Sequence, residues 1–379
     1  MQIGPSTKAK GIKNIGATCY MNAVLQCFYH VKVLTNELLK YPSQKEMTSA
    51  YIELIKQLAN NNVYLANPSA FKNVISKNPL FSGIQANDSK DLILYFLEMI
   101  DSELTTQNIL CQNQKYFNRI KLLKNVNDSE LKNIINIFLA NHKSIISDLF
   151  YGLRSHIITC KKCNKELINY QIFNLFIFPI EVVYNSKYKE DRNSRSLRTN
   201  NFQTSSQEIG RFYYENTDFR ADYRERNYGN SIKKVTLEDC FINELSEIVF
   251  DEDNKIFCNK CNSMCKAIGK NQIFSTPYFL ILILNRGKGN KFDCEVDFKE
   301  ELNIKKYVQN KECPHTYYLI GVISHLGESS MNGHFIADCK HFDGKWYSFN
   351  DNIVSGPYNM YNKKGIPYIL FYQSREIEK

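Results

Sequence analysis

The sequence predicts an α+β fold, with helices from residue 11 to about residue 150 and strands dominating the remainder. Apolar residues recur at helical spacing in the first part, and runs rich in β-branched and aromatic residues follow Leu153. Apolar residues make up 43% of the 379 residues, which is enough for a large core. A chain of this length exceeds what one simple core usually holds, so we expect one body that carries subdomains.

The helical part contains three candidate helices. Met21 to Leu39 and Asp88 to Leu104 place apolar side chains three and four residues apart, and Asp88 stands where an N-cap residue is expected. Leu131 to Leu139 is the third candidate.

The β part begins with His156 to Thr159 and Tyr170 to Ile180. Strand-like runs resume after Phe274, at Tyr278 to Leu284, Tyr317 to His325, His334 to His341, Lys345 to Phe349 and Tyr368 to Gln373. The unbroken apolar run from Tyr278 predicts a strand buried on both faces. Asp343-Gly344 between two runs predicts a hairpin.

A polar segment from about residue 185 to residue 230 interrupts the β part. It is dense in Arg, Asn, Ser, Asp and Glu, with charges of both signs, and this composition predicts an inserted, disordered loop. Its end, Phe212 to Tyr228, interleaves aromatic residues with Arg and could bind a partner, although a solvated loop is the simpler interpretation.

Charge and composition exclude several classes of protein. The net charge of +9 is spread along the chain without a run of five Lys or Arg, which favours a solvated basic surface. A basic face would suit an acidic protein partner, and we expect no nucleic-acid partner. Met1 to Lys10 contains no apolar stretch, and no segment reaches the roughly 18 apolar residues of a membrane span. We therefore expect an intracellular protein, cytoplasmic or nuclear, without a membrane partner. Its 12 cysteines then serve as thiols, metal ligands or a nucleophile.

The first chemically informative motif is the run from Gly11 to Gln26. Cys19 stands at the turn into the first helix, where unpaired amide N–H groups favour a thiolate and offer donors to an oxyanion. Asn14, five residues earlier, could fold back and donate to the same oxyanion. A cysteine that opens a helix is by itself more often a buried apolar residue, which is how we interpret Cys27.

The second motif is Gly333-His334-Phe335, followed by Trp346 to Asp351. A nucleophilic cysteine needs a base, and the base needs an acceptor that orients it. Two strands joined by a hairpin can bring His334 beside Asn350 or Asp351, whose oxygen would accept the Nδ1–H of the ring. Either residue could serve, and the sequence leaves the choice open.

The third motif consists of two C-x-x-C pairs, which supply the four thiolates of a closed structural zinc site. The metal would join the ends of two distant hairpins, and two unrelated reduced pairs are the alternative. The pairs are Cys160 with Cys163 and Cys258 with Cys261.

With these motifs the chain resembles the ubiquitin-specific proteases, papain-like deubiquitinases built as helical thumb, β-rich palm and zinc-binding β fingers. The Gly11–Gln26 run resembles their Cys box and the Gly333–Asp351 region their His box. Gln85 to Leu92 resembles their Gln/Asp-rich box in diverged form, with Asn87 where the family often has Gln. The resemblance covers residues 11 to 373 and implies one domain over residues 11–375, with a thumb to about 150, fingers from about 151 to 275 and a palm from about 276.

The resemblance also implies roles for individual residues. Cys19 corresponds to the nucleophile, His334 to the general base and Asn14 to the oxyanion-hole residue, while Asn350 corresponds to the third catalytic residue with Asp351 beside it. The four paired cysteines correspond to the ligands of one structural zinc ion. The implied reaction is hydrolysis of the bond after the C-terminal glycine of ubiquitin through a thioester, with ubiquitin and ubiquitinated proteins as partners.

Three other functions are compatible with parts of the sequence. A catalytically silent ubiquitin-binding scaffold would lack one of the catalytic residues, all of which are present. A protease for another ubiquitin-like modifier would share the same motifs. A zinc-dependent nucleic-acid binder is suggested only by the cysteines and the charge.

Overall fold

The structure, a computed structural model, describes residues 8–40, 45–106, 128–188, 233–287, 292–327, 333–361 and 365–377. Its order of elements agrees with the predicted α+β class, because helices make up the first part of the chain and strands dominate the remainder, with α8 and α9 between strands. The helices are α1 (Cys19–Tyr29), α2 (Lys32–Lys40), α3 (Glu46–Ala59), α4 (Ser69–Ile75), α5 (Ser89–Thr106), α6 (Ser129–Asn141), α7 (Ile145–Phe150), α8 (Ile180–Tyr188) and α9 (Leu237–Glu244). No helix among these ranges is both long enough and apolar enough to cross a membrane.

Within the described residues the strands form two main sheets and two short pairs. They are β1 (Gly152–Cys160), β2 (Glu166–Phe173), β3 (Phe176–Pro179), β4 (Lys234–Thr236), β5 (Glu247–Phe250), β6 (Ile256–Cys258), β7 (Ser263–Cys265), β8 (Ala267–Ser275), β9 (Phe279–Asn285), β10 (Glu295–Asp297), β11 (Glu301–Asn303), β12 (Thr316–Leu326), β13 (His334–Lys340), β14 (Trp346–Asn350), β15 (Ile353–Tyr358) and β16 (Ile366–Ser374).

Helix α1 lies at the centre of the helical layer, and every one of its residues is buried.

The candidate helix Met21 to Leu39 is divided in the structure into two helices, α1 and α2, which are separated by a short break. The break is stabilised by side chains that bind the last carbonyls of α1: His30 Nδ1 lies 2.7 Å from the Gln26 carbonyl, and the Thr35 hydroxyl donates to the Tyr29 carbonyl at 2.7 Å.

The larger sheet has the strand order β15-β14-β13-β12-β16-β9-β3, with β11 added beside β12. All of its pairs are antiparallel except β3 with β9. Strand β9 confirms the prediction of a strand buried on both faces. Ile281 and Ile283 face the core that contains α1, whereas Leu280 and Leu282 face a second core on the other side. The predicted hairpin also forms, because β13 and β14 pair around a turn with Gly344 at φ 81°.

The smaller sheet, of order β2-β1-β8-β5, leads to the β6–β7 hairpin. The run Tyr170 to Ile180 is divided between the two sheets and a helix, and is not one strand. Strand β2 ends at Phe173 in the smaller sheet, β3 joins the larger sheet, and α8 begins at Ile180. Pro179 ends β3, since proline has no N–H to donate to a ladder.

The first residues of the predicted insertion, 185–188, are helical and not part of a disordered loop. Residues 185–188 complete α8, where the Tyr188 hydroxyl donates to the Lys234 carbonyl at 2.8 Å. The remainder of that predicted loop lies outside the described residues.

Candidate active site

Cys19 is the first residue of α1 and is buried, with 5% of its surface exposed to solvent. The chain enters the helix through two left-handed residues, Gly16 at φ 116° and Ala17 at φ 46°. This conformation is uncommon for an L-residue such as Ala17, and such backbone is often found at functional sites. The turn leaves Cys19 at the end of the helix where backbone N–H groups have no intrahelical acceptor.

His334 opens β13, and its ring is held by the residue that ends β14. Nε2 of His334 lies 2.6 Å from Oδ1 of Asn350, whereas it lies 3.9 Å from Oδ2 of Asp351. Of the two residues that the sequence left open, Asn350 therefore makes the direct hydrogen bond. The expectation that this bond would involve Nδ1 is wrong, because the ring reaches across the strands with Nε2 towards Asn350.

The charge state of His334 is set by its neighbours. Interaction with the Cys19 side chain is the largest influence that raises the pKa of His334, to about 9. The hydrogen bond with Asn350 and the negative charge of Asp351 act in the same direction, and partial burial opposes them. A protonated imidazole beside Cys19 is the arrangement that stabilises a thiolate.

Asn14 and Asp351 are brought together on the other side of the same site. Asn14 Nδ2 donates to Asp351 Oδ2 at 2.8 Å, and Asn14 Oδ1 accepts from the backbone N–H of Gly16 at 3.0 Å. The carboxamide of Asn14 is thus held at both ends, with its nitrogen on the side of the loop that faces Asp351.

Asn22 is a site residue that the sequence analysis missed. It is buried in α1, and its Nδ2 donates to Asp351 Oδ1 at 2.7 Å. The available signal was its spacing, since a residue three positions after Cys19 lies on the same face of the helix.

Gly333, which precedes His334, is required by close packing against His325. A Cβ atom at position 333 would overlap the His325 ring at Nε2. Burial, and then the neighbouring His334, lower the pKa of His325. His325 therefore favours the neutral form beside a charged His334.

The two C-x-x-C pairs meet at the end of the smaller sheet. Their sulfur atoms all lie within 4.8 Å of one another, and we call this group the four-cysteine cluster: Cys160, Cys163, Cys258 and Cys261. Each pair is followed by an asparagine in the left-handed region, Asn164 at φ 55° and Asn262 at φ 50°, so both loops turn in the same way.

The four-cysteine cluster could hold a structural zinc ion. Tetrahedral coordination with Zn–S bonds of about 2.3 Å separates two sulfur atoms by about 3.8 Å. The Cys163–Cys258 and Cys160–Cys261 sulfur distances of 3.6 Å and 4.0 Å lie on either side of that value. The donor set and its spacing therefore fit zinc.

A family model described as "Ubiquitin carboxyl-terminal hydrolase" matches residues 10–372. The chain is 24% identical over 380 residues to "Ubiquitin carboxyl-terminal hydrolase Usp2" of Drosophila melanogaster, covering 96% of this chain and 34% of that protein. It is 26% identical over 384 residues to "Ubiquitin carboxyl-terminal hydrolase 10" of Saccharomyces cerevisiae, covering 92% of this chain and 45% of that protein. The chain thus spans less than half the length of these two relatives.

Solved structures show the same fold. The structure titled "Structure of the SAGA Ubp8/Sgf11/Sus1/Sgf73 DUB module bound to ubiquitin aldehyde" matches with a TM-score of 0.63 at 20% identity, covering 99% of this chain and 71% of that chain. A second structure, of the SAGA DUB module bound to monoubiquitin, matches with a TM-score of 0.64 at 20% identity, covering 99% of this chain and 70% of that chain. The predicted fold, with thumb, palm and a four-cysteine cluster in the β fingers, is confirmed.

Proposed function

The chain belongs to the ubiquitin carboxyl-terminal hydrolase family, and we propose that it is a thiol-dependent deubiquitinase acting after the C-terminal glycine of ubiquitin. One observation carries the proposal: His334 interacts with Cys19 and is hydrogen-bonded to Asn350 at 2.6 Å. This is the nucleophile, base and orienting acceptor that cysteine-protease chemistry needs. Similar solved structures that hold ubiquitin aldehyde and monoubiquitin support ubiquitin as the partner.

In the proposed reaction Cys19 and His334 act as a thiolate and an imidazolium. Because Nε2 of His334 is bonded to Asn350, Nδ1 is the ring nitrogen that serves Cys19. The Cys19 thiolate attacks the glycine carbonyl, and His334 gives its proton to the leaving lysine amine as the C–N bond breaks. Neutral His334 then takes one proton from water as the water oxygen attacks the thioester carbonyl. The C–S bond breaks to release the Cys19 thiolate, and the new carboxylic acid of ubiquitin loses its proton to solvent.

Stabilisation of the oxyanion falls to Asn14 and the start of α1. One N–H of the Asn14 carboxamide is bonded to Asp351, and the second is the donor that we assign to the oxyanion. The backbone N–H of Cys19 is the other donor, because the first N–H groups of a helix have no intrahelical acceptor.

For the four-cysteine cluster we propose one zinc ion with a structural role. A bound zinc would supply only a crosslink, joining the end of β1 to the β6–β7 hairpin. The two pairs lie on chain segments far apart in the sequence, so this crosslink would fix the outer end of the smaller sheet.

A fluorogenic cleavage assay tests the function directly. The purified chain should release aminomethylcoumarin from the C-terminus of ubiquitin, and Cys19→Ala should abolish release. The same fluorophore on other ubiquitin-like modifiers serves as the comparison. Faster cleavage of one of those reporters would reassign the substrate, and turnover by Cys19→Ala would remove Cys19 as the nucleophile.

A further inference from the structure

We infer that Asn22 and Asp351 are positioning residues that together hold the Asn14 carboxamide, and that the side-chain hydrogen bonds of Asp351 serve Asn14 and not His334. The inference rests on the proposed function, because it assigns a task to residues that surround the same reacting atoms. It differs from the expectation that an acidic neighbour of Asn350 serves the histidine.

The hydrogen bonds of the Asp351 carboxylate support this assignment. Oδ1 accepts from Asn22 at 2.7 Å, and Oδ2 accepts from Asn14 at 2.8 Å. The separation of 3.9 Å between Oδ2 and His334 Nε2 is beyond hydrogen-bond distance. Each carboxylate oxygen of Asp351 therefore accepts from a side-chain amide, while Nε2 of His334 is hydrogen-bonded to Asn350.

The orientation of the Asn22 carboxamide is determined by its surroundings. Nδ2 lies 2.7 Å from Asp351 Oδ1, 3.3 Å from the Lys13 carbonyl and 3.5 Å from the Ile12 carbonyl. A flipped amide would place its oxygen against three acceptors. Asn22 is only 2% exposed, so water cannot relieve such a conflict. Its donor group is therefore directed at Asp351.

The backbone of Asp351 is fixed as firmly as its side chain. Its φ of 52° lies in the left-handed region, and its carbonyl accepts from the Ile12 N–H at 2.9 Å. Gly11 allows this approach, because a Cβ there would lie 2.6 Å from the Asp351 carbonyl oxygen. The turn between β14 and β15 is thus docked on the segment that leads to Asn14.

The result is a link between three parts of the site. Asn22 belongs to the helix of the nucleophile, Asp351 to the turn after Asn350, and Asn14 to the loop before Cys19. Without Asn22, the carboxylate of Asp351 loses the donor on Oδ1 and is free to rotate. The Asn14 nitrogen then has no fixed acceptor, and its second N–H no longer points reliably at the oxyanion.

A double-mutant cycle with Asn14→Ala tests the link, using kcat and KM for ubiquitin–aminomethylcoumarin. Removing one oxyanion donor lowers kcat by about 100-fold in other enzymes, which is the expectation for Asn14→Ala. We expect Asn22→Ala to lower kcat by about tenfold with KM unchanged, since a positioned donor acts in the transition state. The double variant should be no slower than Asn14→Ala, because both changes remove one interaction.

Gln26→Ala is the matched control. Gln26 is the next buried amide of α1, also 2% exposed, and its Nε2 donates to the Lys10 carbonyl at 2.8 Å. It should lower the melting temperature as much as Asn22→Ala does but leave kcat unchanged. Asp351→Asn, which keeps the side-chain shape, provides a second variant and should also be non-additive with Asn14→Ala.

Alkylation of Cys19 by iodoacetamide supplies a readout that is independent of turnover. Asn22→Ala should leave the rate of alkylation unchanged, because the Cys19–His334 pair is intact, whereas His334→Ala should slow it. Multiplicative losses in the double variant, or slow alkylation in Asn22→Ala, would overturn the inference while the function stands. Absence of turnover by the wild-type chain with every ubiquitin-like reporter would overturn the function and this inference together.

Discussion

The hydrogen bond between Asn350 and His334 can be removed by Asn350→Ala, and its geometry sets the expected effect. The bond is 2.6 Å long and reaches a ring whose pKa is raised to about 9. Hydrogen bonds to charged groups contribute about 1.5–3 kcal/mol, and solvent weakens those that are partly exposed. Because the His334 side chain is 35% exposed, we use the lower end, about 1.5 kcal/mol. That energy corresponds to about one pKa unit, so Asn350→Ala should lower the pKa of His334 by about that amount.

The sign of the pH dependence follows from the form of His334 that the reaction needs. In the proposed reaction the imidazolium pairs with Cys19 and protonates the leaving amine, so we expect activity below the pKa of His334 and loss of activity above it. The alkaline limb of kcat/KM should lie near pH 9 in the wild type. In Asn350→Ala it should lie about one unit lower. The stability that protonated His334 contributes is likewise complete below its unfolded pKa of about 6.5 and is lost as the pH rises through the folded value.

The measurement is kcat/KM for ubiquitin–aminomethylcoumarin with the wild type, Asn350→Ala and Asp351→Ala. The pH is varied between about 5 and about 10.5, a range that brackets the unfolded and folded pKa of His334. Asn352→Ala is the control, since this exposed asparagine lies two positions after Asn350 and the hydrogen bond of His334 goes to Asn350 instead. An alkaline limb that stays in place in Asn350→Ala but moves in Asp351→Ala would refute the assignment of Asn350 as the orienting residue.

Three further outcomes are expected. Cys19→Ala should retain ubiquitin binding by calorimetry while losing all turnover, and loss of both would indicate a folding defect. Metal analysis should find one zinc ion per chain, with a lower zinc content in Cys258→Ser and an unchanged content in Cys265→Ser, which alters a neighbouring thiol. Absence of zinc from protein purified without a chelator would contradict the proposed site. Replacing residues 190–231 by a Gly-Ser bridge should leave reporter cleavage intact, because Tyr188 already contacts the Lys234 carbonyl at 2.8 Å; an inactive, unfolded product would make that segment part of the scaffold.

The sequence predicted those elements whose signal is local. Strand β9 could be predicted because an unbroken apolar run supplies apolar side chains to both faces of a strand. The β13–β14 hairpin could be predicted because Asp343-Gly344 favours a tight turn. The break after α1 could not be predicted, since it depends on hydrogen bonds of His30 and Thr35 to helix carbonyls and not on apolar spacing. The division of Tyr170–Ile180 was missed because strands of both sheets have the same composition.

Site residues show the same limit at longer range. Cys19 and His334 were predicted from compact motifs, each legible within a few residues. Asn22 lacks such a motif, because its partner Asp351 lies 329 positions away and only the folded chain brings them within 2.7 Å. The choice between Asn350 and Asp351, and between the two ring nitrogens of His334, depends on which atom each side chain reaches across two strands. The positions of these residues in the sequence do not reveal where their side chains point.

The arrangement of the cores explains why the active site and the four-cysteine cluster can be perturbed separately. Cys19 and Tyr20 of α1 share one core with Phe335 and Ala337 of β13, so the proposed nucleophile and the proposed base are placed by the same packing. The four-cysteine cluster instead forms its own small group with Cys265, apart from that core. Loss of the proposed zinc ion should therefore loosen the outer end of the smaller sheet first. The Cys19–His334 pair is held by packing and hydrogen bonds that do not pass through the cluster, so its geometry should persist when the metal is removed.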